Sequence, residues 1–171
     1  MQNEPEVQEL GEFLFEFNKE SDRGAALNAA AVLDDWLLSI LKEFLAENKS
    51  ASDLLSGFNA PLGTFSARAA AAHAMGLIQD NEFNEITIIR KIRNEFGHNW
   101  RSVSFTTKKI ADLTNKLPWL GPTESEKNSD PRARFNFAIA ILLADLMWRP
   151  RLARKEKIKP REWPNRSRAK A

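Results

Sequence analysis

The chain has 171 residues, of which 43% are hydrophobic, 28% are charged and none is cysteine. This length fits one domain with a sizeable core, and the absence of cysteine excludes a disulfide framework and a thiolate metal site. With only two histidines, we expect no metal and no cofactor. No apolar run approaches the ~18 residues of a membrane span, and the acidic N-terminus differs from a signal peptide. We therefore expect a bacterial cytoplasmic protein with no membrane partner.

The net charge of +2 conceals an uneven distribution. Residues 1–60 carry 12 acidic and 4 basic side chains, a net charge of −8. Residues 149–171 carry 10 basic and 2 acidic side chains, a net charge of +8. An acidic body with a basic tail is typical of proteins that contact nucleic acid or a second acidic surface.

Apolar residues recur at helical spacing in the first part of the chain. Val7, Leu10, Leu14 and Phe17 predict a first helix. Ser21 and Asp22 are favourable N-caps for a second helix, which we expect to run to about Glu47. Its core-facing stripe is predicted to contain Leu27, Ala31, Leu38, Leu41 and Leu45, with Leu33, Leu37 and Phe44 widening the apolar face.

The helical pattern continues to the end of the folded part. Residues 50–63 predict a short helical turn and a loop, and residues 65–74 predict a third helix closed at Gly76. Asp80 is a favourable N-cap for a fourth helix, a fifth helix is predicted over residues 106–117, and residues 118–130 are predicted to form a polar loop. A final helix is predicted from Pro131, and Arg149-Pro150 is predicted to end it. Because this helix has few polar residues, we expect it to be the buried centre of the bundle. The fold class is therefore all-α: a single-domain multi-helix bundle over residues 1–148 with a basic, weakly structured tail over residues 149–171.

The end of the fourth helix carries the main candidate site. Arg93, Asn94 and His98 place a cation, an amide and an imidazole within six residues, and Asn94 and His98 share a helix face. Together they are able to contact a phosphodiester. Alternatively, His98 is a C-terminal cation favoured by the helix dipole, and Arg93 forms an ordinary surface salt bridge.

Asp34 interrupts the apolar stripe of the second helix. A carboxylate on a core-facing stripe needs a partner, because burying an unpaired charge is costly. Arg90, Arg93 and His98 are the expected partners. The pair either pins two helices together or orients the imidazole of His98. The other histidine, His73, lies among alanines and is interpreted as a packing or interface residue.

The tail is the candidate nucleic-acid interface. Basic charge provides phosphate affinity that does not depend on sequence, and one aromatic ring can stack on a base. A solvated tail, or a tail docked on the acidic first helices of a partner subunit, explains the composition equally well. The candidate residues are Arg149, Arg151, Arg154, Lys155, Lys157, Lys159, Arg161 and Trp163.

A helix-turn-helix is not supported by the sequence. The best candidate is the turn between Ala72 and Gly76, followed by a helix that opens with Asp80, Glu82 and Glu85. Those carboxylates would be repelled by the phosphates that line a DNA groove. DNA binding by this route is therefore not expected.

Three segments resemble the mannitol repressor family of bacterial regulators: residues 20–27, residues 54–68 and residues 89–98. The resemblance covers roughly residues 10–147, and residue 97 is glycine where the family often has alanine. It implies an all-helical, dimeric protein that controls mannitol-utilisation genes through a regulatory protein or nucleic-acid partner, without an obvious DNA-binding motif.

The motif at the end of the fourth helix is also similar to the Arg-polar-Xaa-His signature of HEPN domains, helical bundles that include metal-independent ribonucleases. This likeness implies that His98 exchanges a proton with the ribose 2′-OH, Arg93 stabilises the phosphorane and Asn94 positions the phosphate. Asp34 would orient the imidazole. A non-catalytic binding module of the toxin or antitoxin kind is the third hypothesis.

Overall fold

The computed structural model describes residues 4–126 and 129–164. Within these ranges all regular secondary structure is helical, as the sequence predicts. The helices are α1 (Pro5–Phe17), α2 (Asp22–Phe44), α3 (Lys49–Leu55), α4 (Phe65–Ala74), α5 (Asp80–His98), α6 (Lys108–Thr114), α7 (Thr123–Glu126), α8 (Pro131–Leu146) and α9 (Arg149–Lys155).

Several helix boundaries follow from capping chemistry. The Ser21 hydroxyl accepts a hydrogen bond from the backbone of Gly24 at 3.1 Å, and the Asp130 carboxylate accepts one from Ala133 at 2.7 Å. Helix α4 has the predicted bounds, and Gly76 after it adopts a φ of 69°. Three boundaries differ slightly from expectation: α2 ends at Phe44, α6 is shorter than predicted, and Gln79 rather than Asp80 is the N-cap of α5.

Helix α2 is the centre of the bundle, and the prediction that the last long helix has this role is wrong. Helices α3, α4, α5, α8 and α9 all pack against α2. Helix α8 is apolar nearly all round, yet it buries one face and leaves Phe137 and Ile141 partly exposed. A uniformly apolar helix therefore gave a misleading signal, because apolar composition does not specify which helix is surrounded.

The buried face of α2 is also shifted from the predicted stripe. Leu27 and Ala31 are exposed, whereas Ala26, Ala30 and the predicted flanking residues Leu33 and Leu37 are buried. A shift of one residue turns a helix by about 100°. The small alanines allow neighbouring helices to approach α2 closely, so its packed face is wider than a leucine stripe suggests.

By length and composition alone, α2 is apolar enough to cross a membrane. The sequence prediction that no segment reaches this threshold is therefore wrong for α2. In the structure the helix is covered by its neighbours and serves as the core helix of the bundle.

A cluster of buried phenylalanines joins the other elements. The ring of Phe105 lies 4.8 Å from that of Phe135 on α8 and 5.2 Å from that of Phe96 on α5, and Phe17 on α1 contacts Phe135. These centroid distances are typical of favourable aromatic pairs. The cluster fixes the C-terminal part of α5 against α1 and α8.

Candidate functional site

The candidate site at the end of α5 is open to solvent. Helix α5 continues to His98, and both Arg93 and His98 are exposed. Asn94 and His98 lie about 40° apart around the helix axis, whereas Arg93 and His98 lie about 140° apart. The Arg93 guanidinium nevertheless reaches the face of Asn94, because its Nη1 donates to Asn94 Oδ1 at 2.9 Å. The neighbouring Trp100 ring is also exposed and is covered on one side by Arg101.

Arg23, which the sequence reasoning missed, closes the C-terminal end of α5. Its guanidinium donates to the carbonyls of Phe96, Asn99 and Arg101, the latter two at 2.7 and 3.2 Å. Carbonyls at a helix end lack intrahelical partners, and a cation there also suits the helix dipole. The capping role considered for His98 is therefore performed by a residue of α2 that lies more than seventy positions away.

Asp34 pairs with none of its expected partners. Its Oδ1 atom lies 2.8 Å from Arg68 Nη1 on α4, and Arg68 Nε donates to the Leu62 carbonyl at 2.9 Å. The expected partners Arg90, Arg93 and His98 all lie on α5. Asp34 therefore joins α2 to α4 and to the loop before α4.

The predicted tail begins with a helix that belongs to the bundle. Residues Arg149–Lys155 form α9, which packs on α2, while residues 157–164 have no regular secondary structure and residues 165–171 lie outside the described residues. Pro150 falls in the first turn of α9, where a proline costs no hydrogen bond. The tail therefore starts with an ordered element rather than with a weakly structured segment.

Four of the eight candidate nucleic-acid contacts form ion pairs within the chain. Arg149 pairs with Glu82, Arg151 with Glu4 and Glu6, Arg154 with Glu43, and Lys157 with Glu47, at 2.6 to 2.9 Å. The hydrogen bond from Arg154 lowers the pKa of Glu43, and the bond from Lys157 lowers the pKa of Glu47. The acidic and basic ends that the sequence separates therefore meet in the fold, through the pairs of Arg151, Arg154 and Lys157.

The pair between Arg149 and Glu82 is the most buried of these. The Glu82 carboxylate accepts from Arg149 at 2.7 and 3.1 Å and from the backbone of Gln79 at 2.6 Å. Arg149 also donates to the Leu77 carbonyl at 2.7 Å. Nearby Glu85 is buried, and burial raises the pKa of its carboxyl group. Two of the acidic residues in the first turns of α5, Glu82 and Glu85, are therefore buried in the bundle and do not form an exposed acidic surface.

His73 has the packing role that the sequence predicts. Its ring stacks on Phe83 with a centroid distance of 4.3 Å, and its Nε2 atom lies 2.8 Å from Asp80 Oδ1. Across residues 4–126 and 129–164, no group of three or more His, Cys, Asp or Glu side chains could hold a metal ion.

The comparisons with known proteins identify a fold. No protein-family model matches the chain, and no curated protein matches it. A solved structure described as the MtlR–HPr complex from Escherichia coli matches with a TM-score of 0.59. The match covers 82% of this chain and 97% of that chain at 19% sequence identity. This protein has an MtlR-like fold.

The MtlR-like fold confirms the structural part of the resemblance seen in the sequence. The repressor activity, the dimer and the HEPN-like chemistry stay predictions, because similarity at this level of identity concerns the fold alone. The exposed trio of Arg93, Asn94 and His98 also stays a prediction as a catalytic site, with Asp34 directed to Arg68 instead of the imidazole.

Proposed function

We propose that this protein is a regulatory protein that acts by binding a partner protein, and that it controls gene expression as the mannitol repressor resemblance implies. The observation that carries the proposal is the fold match to the solved MtlR–HPr complex. The match covers 97% of the matched chain in that complex. A helical bundle that matches over such a length places its helices in a comparable arrangement. We propose HPr, or a protein of that kind, as the partner.

The distribution of charge supports protein contact over binding of nucleic acid by the tail. Phosphate binding gains its free energy from cations that release counterions from nucleic acid. Arg149, Arg151, Arg154 and Lys157 already face carboxylates of the same chain, so binding a phosphate would require each pair to separate. The cost of separation reduces the gain from each contact.

Isothermal titration of the full chain with purified E. coli HPr tests the proposal. We expect saturable binding with a defined stoichiometry. Duplex DNA and RNA of mixed sequence, titrated under the same conditions, should bind more weakly than HPr. Absence of HPr binding up to about 1 mM, the weak limit of specific association, would overturn the proposed partner.

The exposed trio on α5 supports a metal-independent ribonuclease as the second candidate. The bond from Arg93 to Asn94 brings a guanidinium to the helix face that carries His98, which is the arrangement this chemistry requires. The test is incubation of the protein with RNA in EDTA, next to the His98→Ala variant and the matched His73→Ala control. Under the leading proposal RNA stays intact with all three proteins. Cleavage lost only in His98→Ala would establish the enzyme instead.

A further inference from the structure

The loop between α3 and α4 exposes a phenylalanine side chain almost completely. Phe58 is 99% exposed, whereas eight of the 11 phenylalanines are buried or partly buried. Its neighbours adopt left-handed backbone conformations, with φ of 107° at Gly57 and 58° at Asn59. Glycine and asparagine are the residues that adopt positive φ most readily, so the local sequence favours this turn. The loop therefore has a specific shape that displays the ring of Phe58.

Hydrogen bonds hold this shape. The backbone of Leu62 donates to the Leu54 carbonyl at 2.8 Å and closes the loop, and the backbone of Gly63 donates to the Ala60 carbonyl at 2.9 Å. A Cβ atom added at Gly63 would lie 2.9 Å from that same carbonyl oxygen, so the turn requires glycine there. The loop is a preorganised element, which lowers the entropy cost of binding through it.

A polar network fastens the loop to the core helix. Arg68 donates to the Leu62 carbonyl at 2.9 Å and simultaneously lies 2.8 Å from the carboxylate of Asp34 on α2. The Arg68 side chain is mostly buried, so its position is fixed by the bundle. Asp34 thereby acts as a positioning residue for the loop through Arg68.

The chain segment that contains Phe58 has few charged residues of its own. Between residues 48 and 67 the charged side chains are Lys49 and Asp53, and they pair with each other at 2.6 Å. The partly exposed Leu54 lies one helical turn before the loop, and serine, asparagine and threonine side chains make up the polar part of the surface. A partner that matches Phe58 and Leu54 presents an apolar recess.

We infer that residues 57–59 form the anchor through which the partner protein binds, with the Phe58 ring inserted into an apolar recess of that partner. This inference rests on the proposed function. A large aromatic side chain on a preorganised loop is the kind of residue that dominates binding energy in protein interfaces. A membrane is a poorer occupant because lipid attachment needs a broader apolar face than the exposed Phe58 and Leu54 provide.

Isothermal titration with E. coli HPr tests the anchor with the variant Phe58→Ala and the matched control Phe15→Ala, which removes an exposed phenylalanine from α1. We expect Phe58→Ala to weaken binding about 30-fold or more, the loss typical of a hot spot, and Phe15→Ala to change it less than about threefold. Since the Phe58 ring is apolar, the fold-loss caused by Phe58→Ala should be the same at about 0.05 and about 0.5 M salt. Both variants should keep the wild-type unfolding temperature, because each site is exposed.

The outcomes separate the anchor from the proposed function. If the wild type binds HPr and Phe58→Ala binds equally well, the anchor is overturned and the proposed function stands. If the wild type does not bind HPr, the proposed function is overturned, and the anchor falls with it. Sedimentation velocity of both proteins adds one further outcome: a wild-type dimer that Phe58→Ala converts to a monomer would show that a second copy occupies the ring, against the inference.

Discussion

Replacement of Arg149 with alanine should destabilise the protein strongly, although the sequence places this residue in a basic tail. Glu82 is 3% exposed and the Arg149 side chain is 18% exposed. In the variant the carboxylate loses donors at 2.7 and 3.1 Å and keeps only the backbone of Gln79, while the Leu77 carbonyl loses its donor at 2.7 Å. Breaking a buried pair costs about 3–5 kcal/mol, and the residual exposure of Arg149 places the expected loss near the lower end, about 3 kcal/mol.

Urea unfolding followed by circular dichroism measures this loss, with Arg154→Ala as the matched control. Arg154 forms a comparable two-point pair with Glu43, but its side chain is 68% exposed, so water replaces the lost bonds and the midpoint should hardly move. Equal losses of unfolding free energy in the two variants would refute the reasoning, because burial would then not determine the value of the pair. A loss confined to Arg149→Ala would establish α9 as part of the cooperative fold.

Three further predictions concern other charged groups. Burial raises the pKa of Glu85 above the ordinary value of 4.5. The stabilisation associated with its proton is therefore complete below pH 4.5 and is lost as pH rises through the folded-state pKa. Glu85→Gln should raise the unfolding temperature more at about pH 7 than at about pH 4, and an equal change at both would contradict this. Asp34→Asn should weaken the support that Arg68 gives to the loop between α3 and α4. The Leu62 amide should then exchange its hydrogen about fivefold faster, as expected for a loss of about 1 kcal/mol. Unchanged exchange would show that Asp34 does not support the loop. A chain ending at Glu156, which keeps α9, should bind RNA with the same salt dependence as the full chain; a log–log slope smaller by about 3 or more would assign phosphate contacts to the removed cations.

The helices could be predicted from the sequence because their signals are local. Apolar spacing, the caps Ser21 and Asp130, and the stop at Gly76 lie within a few residues of the boundaries that they determine. The order of packing could not be predicted in the same way. Both α2 and α8 are apolar on more than one face, so periodicity alone does not tell which of them the other helices surround.

The polar contacts of the candidate site could not be predicted because their partners are distant in the sequence. Arg23 caps a helix more than seventy residues away, and Arg149 pairs with Glu82 across a similar separation. The sequence did indicate that Asp34 needs a partner, since a carboxylate on an apolar face is costly when unpaired. Identifying those partners required the arrangement of the bundle.

Hydrogen exchange of the full chain with and without saturating HPr tests partner binding and its location together. We expect slower exchange for the amides of residues 54–63, which contain the Phe58 loop, and unchanged exchange at the C-terminal end of α5. Identical exchange throughout the chain in the presence of HPr would contradict the proposal that this protein works by binding that partner. Protection confined to the end of α5 would contradict the placement of the interface at the loop.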